Sequence, residues 1–172
     1  MDRARGPALG AQFAAPESPV VAVCGDGGFL MTANAVASAV EYGLPIVWVV
    51  WNNTGYVSIR DQQAGFFGKG REIGVRFRSG GDGDLVSPDF AMLARSMGAQ
   101  GVTVERPGDL REQIAAAIAA RRTTVLDVRV DADVFPPATG SWDLPPLAAP
   151  LPNYGWQTNG QVQPPATLRT PR

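Results

Sequence analysis

The chain has 172 residues, 45% of them hydrophobic, with a formal net charge of −1 and no histidine. Such a chain can bury one core, and its cancelled charge gives no electrostatic argument for nucleic acid or an anionic membrane. With no apolar run near the ~20 residues that span a bilayer, no apolar leader core and a lone Cys24 inside an apolar run, the expectation is a soluble cytoplasmic protein whose cysteine is a small buried residue.

A short helix is predicted over 7–15. Residues 19–24, Pro-Val-Val-Ala-Val-Cys, read as a strand covered on both faces. Residues 29–42 read as one helix, stopped by Gly43 before Pro45. Residues 45–51 form a second buried strand. From Asn53 to Ser87 no period is sustained, and seven glycines fall between Gly65 and Gly83; a connection that long is functional or mobile. Ser87-Pro88-Asp89 predicts a helix start with Ser87 as N-cap and Pro88 as first helical residue. Phe90, Leu93, Ala94 and Met97 give that helix its apolar face, and Gly98 ends it. A third strand over 102–105, a helix over 109–121 and a fourth strand over 124–130 follow. The alternation argues for an α/β fold: a parallel sheet with flanking helices and right-handed crossovers.

After Asp133 the composition changes. Pro136-Pro137, Pro145-Pro146, Pro150, Pro152 and Pro164-Pro165 exclude regular structure, while Trp142, Leu144, Leu147, Tyr154 and Trp156 offer anchors. The predicted organisation is a ligand-binding domain over 1–134, an extended Pro-rich arm over 135–156 and a disordered tail over 157–172.

The chemistry concentrates where the first two strands end. Gly25-Asp26-Gly27-Gly28 follows the first strand, and Asn52-Asn53 closes the second. Parallel strands bring Asp26 and Asn53, 27 positions apart, to one sheet edge, where open α/β sheets bind ligands. The glycines let backbone N–H groups approach phosphate oxygens, and a helix N-terminus faces the same place. A dinucleotide fingerprint does not fit, because the last glycine of G-x-G-x-x-G would fall on Leu30. Asp26 would repel a bare diphosphate, so a cation must lie between them. Asn53 adds an amide oxygen, and a backbone carbonyl two residues on could complete the protein ligands of a near-octahedral Mg²⁺.

This pair of motifs resembles the diphosphate-binding motif of thiamine diphosphate-dependent enzymes, nearest to the acetolactate synthase, benzoylformate decarboxylase and benzaldehyde lyase group. The words that carry the resemblance include Gly10-Ala11-Gln12, Gly25-Asp26-Gly27-Gly28-Phe29-Leu30-Met31-Thr32, Asn52-Asn53-Thr54-Gly55-Tyr56 and Pro88-Asp89-Phe90-Ala91. The similarity covers roughly Gly6 to Trp156. The resemblance implies thiamine diphosphate and Mg²⁺ as cofactors. Asp26, Asn53 and the Gly55 carbonyl would be the metal ligands. Gly25, Gly27 and Gly28 would meet the diphosphate, and Tyr56, Val57 and Ser58 would lie near the thiazolium. Gln62, Gln63, Phe66 and Phe67 are weaker pocket candidates.

Family members are usually three-domain chains, and this one corresponds to their C-terminal diphosphate-binding domain, truncated at its N-terminal side. The Glu that activates the cofactor sits in a separate pyrimidine-binding domain, so no residue of this chain is assigned a catalytic role. The reading is a diphosphate-binding component of a carboligase or 2-oxo acid decarboxylase, a lyase or transferase taking a 2-oxo acid or aldehyde. It would be inactive alone and would need a partner subunit, a homo-oligomer or both. The alternative is a non-catalytic remnant acting as a binding or assembly module.

Overall fold

The computed structural model describes residues 5–80 and 83–134; the expected Pro-rich arm and tail lie outside them. Four strands, β1 (Val20–Gly25), β2 (Ile46–Asn52), β3 (Gln100–Val104) and β4 (Thr124–Arg129), form a parallel sheet in the order β1-β2-β4-β3. The helices are α1 (Arg5–Ala14), α2 (Asp26–Met31), α3 (Asn34–Glu41), α4 (Val57–Phe67), α5 (Phe90–Ser96) and α6 (Leu110–Ala119). A 3₁₀ turn at Pro107–Asp109 leads into α6. The α/β parallel sheet is as expected.

β2 explains the layering. Its Ile46, Trp48 and Val50 join Ala22, Cys24 and Val125 on one face, where Ala8, Phe29, Val36, Ala39, Phe90 and Ala94 of the helices cover them. Phe29 and Phe90 meet edge to face, with centroids 5.5 Å apart. Val47 and Val49 join Val104, Leu126 and Val128 on the other face, under Leu110, Ile114, Ala117 and Ile118 of α6. A strand buried on both sides needs a nearly unbroken apolar run, which residues 46–50 supply. Each such side chain contributes about 1.5–3 kcal/mol by burial. Cys24 is buried, as expected. At the end of α1 the buried Gln12 amide donates to the carbonyls of Ala15, Pro16 and Ser18 at 3.3, 3.1 and 3.2 Å, shaping the turn into β1.

Four local expectations are corrected. Among the described residues β1 is covered on one face only: it lies at the edge of the sheet, α6 packs on β2 and β4, and Val21 and Val23 stay 40% and 61% exposed. The helix expected over 29–42 starts earlier and is two helices, because Thr32 leaves the helical region at φ −143°. The stretch without a period contains α4. Its Gln, Arg and Ala residues favour a helix, but Ile59 and Phe66 point outward and hide any apolar stripe. Finally, Asp89 caps α5, its Oδ1 accepting the Met92 N–H at 2.6 Å. Ser87 is engaged elsewhere, bonded to Asn52.

The chain divides into two compact units. Among the described residues, 58–75 with 133–134 form the smaller. Within it Gln63 holds the backbone of Ile73, accepting its N–H at 2.8 Å, and the buried Arg60 pairs with Asp61 at 2.9 Å and Asp133 at 3.1 Å. The rest of the described chain forms the larger unit, which holds the sheet.

At Gly101 the backbones of α5 and β3 come close. A Cβ there would stand 2.0 Å from the Ala91 carbonyl oxygen, a backbone atom that cannot rotate away. Gly101→Ala therefore should destabilise the protein by about 3 kcal/mol, the upper part of the overpacking range, measured as a lowered denaturation midpoint. An unchanged midpoint would contradict this packing.

Candidate cofactor-binding site

Asp26 opens α2 directly after β1 and is 1% exposed. Its Oδ1 accepts the Gly27 N–H at 2.6 Å and its Oδ2 the Gly55 N–H at 2.9 Å. The second bond joins the end of β1 to the turn after β2. The strand register makes that possible, because Gly25 lies opposite Trp51 in a parallel pair. Burial pushes the Asp26 carboxyl above its ordinary range, and the N–H groups of Gly55, Gly27, Thr54 and Asn53 pull it back.

The turn itself is unusual. Thr54 has φ +62° and Gly55 φ +150°. A β-branched residue in the left-handed region costs on the order of 1–3 kcal/mol, so its surroundings must hold it. The Thr54 N–H reaches Asn52 Oδ1 at 3.3 Å, the Thr54 carbonyl accepts the Phe77 N–H at 3.3 Å, and Gly55 bridges to Arg76. The two asparagines divide the work: the Asn52 side chain is buried, while Asn53 is half-buried.

Tyr56 lies over Gly27. A Cβ at Gly27 would be 2.4 Å from its ring, which also stacks edge to face on Phe77 at 5.6 Å. Gly27 is thus required by ring packing, and its N–H is already bonded to Asp26. A Cβ at Gly25 would meet nothing within 4 Å, and Gly28 is half-buried. Asp26, Gly27, Gly55 and Tyr56 are brought together, with Asn53 in the adjoining turn. Val57 is half-buried at the start of α4. Ser58 is exposed and belongs to the smaller unit. Gln62, Gln63, Phe66 and Phe67, with Ile59, line a recess of about 260 Å³ within that unit.

Sequence reasoning missed a second cluster. Asp127, fully buried in β4, accepts Asn52 Nδ2 at 2.7 Å and the Phe90 N–H at 3.3 Å, and pairs with Arg129 at 2.9 Å. Burial raises its carboxyl, against the Asn52 bond and the Arg129 charge. A carboxylate inside the apolar run of residues 124–128 was the available signal.

Asp26 offers a carboxylate, Asn53 an amide oxygen and Gly55 a carbonyl. Among the described residues no three His, Cys, Asp or Glu side chains cluster for a metal. One carboxylate with neutral oxygens fits a hard dication that shares its shell with phosphate oxygens.

Residues 1–128 match the family model described as thiamine pyrophosphate enzyme, C-terminal TPP binding domain. The chain belongs to this family, and its cofactor is thiamine diphosphate. It is 34% identical over 124 residues to a probable acetolactate synthase large subunit of Methanococcus aeolicus, covering 72% of this chain and 19% of that protein. It is also 34% identical over 124 residues to a sulfoacetaldehyde acetyltransferase of Castellaniella defragrans, covering 70% and 19%. Among solved structures, a thiamine diphosphate-dependent 4-hydroxybenzoylformate decarboxylase of Rhodococcus jostii RHA1 matches with a TM-score of 0.62 and 30% identity, over 72% of this chain and 22% of that one. The chain therefore spans about a fifth of the length of the curated relatives it matches.

Because the Tyr56 ring fills the space over Gly27, Gly27→Ala should displace it and cost about 1–3 kcal/mol. Adding Tyr56→Ala should remove most of the clash, so the double variant should be less destabilised than the sum of the singles. Additive losses in denaturant titrations would refute the contact.

Proposed function

We propose that this chain supplies the metal–diphosphate half of a thiamine diphosphate-dependent carboligase or 2-oxo acid decarboxylase of the acetolactate synthase-like kind, acting in the cytoplasm. The observation that carries this reading is the Gly55 N–H bond to Asp26, which sets a carboxylate beside the turn bearing Asn53. Asp26 and Asn53, with the Gly55 carbonyl, hold Mg²⁺. The backbone of Gly25, Gly27 and Gly28 borders the diphosphate, and Tyr56, Val57 and Ser58 stand toward the thiazolium. Burial of Asp26 lowers the dielectric around its carboxylate, which strengthens its attraction for the cation.

When bound, thiamine diphosphate supplies a nucleophilic carbon and an electron sink for cleaving and forming carbon–carbon bonds next to a carbonyl. This chain's part is to hold and orient the diphosphate end. The acid–base half, with a Glu facing the aminopyrimidine, belongs to a pyrimidine-binding domain, carried by a partner subunit or by another part of a longer polypeptide. The acetolactate synthase and decarboxylase relatives support a 2-oxo acid as donor.

The isolated chain with thiamine diphosphate and Mg²⁺ should consume no pyruvate; turnover by the chain alone would sink the division of labour. In a complex that includes a pyrimidine-binding domain, Asp26→Ala should weaken cofactor retention by ~100-fold or more, read by calorimetry. Retention unchanged by that substitution would remove Asp26 from the site.

A further inference from the structure

Behind the turn that carries Asn53 lies a closed set of polar side chains that the metal–diphosphate reading does not use. Asn52 has both ends of its amide engaged. Its Nδ2 donates to Asp127 Oδ1 at 2.7 Å and to the Ser87 hydroxyl oxygen at 2.9 Å. Its Oδ1 accepts the Thr54 N–H at 3.3 Å and, at 3.0 Å, shares the single Ser87 hydroxyl proton with the Pro88 carbonyl at 3.1 Å. Asp127 Oδ2 in turn takes the Phe90 N–H at 3.3 Å and Arg129 Nη2 at 2.9 Å, and Arg129 Nη1 reaches the Ser87 hydroxyl. Asn52 is 2% exposed and Asp127 0%.

These bonds have a direction. Asp127 sits in the middle of β4, fixed by the pairing of β4 with both β2 and β3. Its oxygens meet the donors of Phe90 and Arg129 and so accept from Asn52 as well, which points the Asn52 NH₂ inward and its oxygen toward Thr54. That oxygen holds the N–H of the residue at φ +62°. A left-handed Thr is a costly conformation, and it persists only if its neighbours over-determine it. One residue before Thr54 stands Asn53, and one after it Gly55, whose N–H meets Asp26.

We infer that Asp127 is a positioning residue: acting through Asn52, with Ser87 as a bridge, it holds the Asn53–Gly55 turn in the conformation that meets Asp26, and so pre-forms the cation loop. The effect on the turn rests on this geometry alone; the effect on the cation rests on the function proposed above. Groups that orient a metal ligand from behind commonly change metal affinity by 10–100-fold.

The test uses donor–acceptor reversal. Asp127→Asn alone presents an amide where an acceptor for two or more donors is needed. Asn52→Asp alone sets two carboxylates face to face. The double variant restores one donor and one acceptor across the pair, with the charge on the other side. Each single variant should raise amide hydrogen exchange at Thr54 and Gly55 by ~10-fold while leaving β1 unchanged, and the double should return to within ~3-fold of the parent. Mn²⁺ binding in the presence of thiamine diphosphate, followed by electron paramagnetic resonance on the full chain with any subunit that co-purifies, should weaken ~10-fold in the singles and recover in the double.

Unchanged exchange at Thr54 and Gly55 in a folded single variant overturns the inference. So does a double variant no better than the worse single. If the singles do not fold, Ser87→Ala removes only the bridging hydroxyl and should raise Thr54 exchange ~3-fold; no rise there overturns the inference as well. If the parent holds no Mn²⁺ with thiamine diphosphate, the proposed function and the cation half of the inference fall together. The rescue pattern in exchange would then still establish Asp127 as the residue that positions the turn.

Discussion

A single hydrogen bond, from the Gly55 N–H to Asp26 Oδ2, ties the end of β1 to the turn after β2, and the candidate site depends on it. The bond needs a parallel register that ends both strands at one level, and a buried carboxylate at that level to accept it. Burial makes the ionised form costly, while the surrounding backbone N–H groups favour it. A dication would ease that tension further, adding positive charge where the protein has placed a buried anion.

Most of the site's polar atoms are spent on holding one another. Asp26 binds two backbone N–H groups, Asn52 binds Asp127, Ser87 and Thr54, and Tyr56 packs over Gly27. A low-dielectric interior penalises any polar group left without a partner, so the turn between β2 and α4 is supported from both sides. Such support lets Thr54 stay in a conformation that its branched side chain disfavours.

The sheet and its helices were legible because they rest on local rules. Residues 46–50 form an apolar run that suits a doubly covered strand, and Gly98 ends α5 with φ +83°. Misreadings arose where distant residues decide. Ser87 is a good N-cap by type, yet its hydroxyl is drawn to Asn52 across 35 positions, and Asp89 takes the cap instead. α4 was hidden because its outward apolar residues, Ile59 and Phe66, break the pattern that marks a helix. Composition cannot tell an edge strand such as β1 from a central one.

The sequence by itself determined the oxygen-bearing residue types of the candidate site and the spacing that brings Asp26 and Asn53 to one sheet edge, because strand and helix lengths follow from hydrophobic pattern and punctuation. The family's motif words added the cofactor. Only the tertiary structure decided that Asn52 is buried and Asn53 half-buried, that Gly27 is needed for the Tyr56 ring, and that Asp127 stands behind the turn. The physical reason is that each of these depends on contacts between residues 29 to 75 positions apart, or on which side of a strand end a chain leaves, and a one-dimensional pattern carries neither.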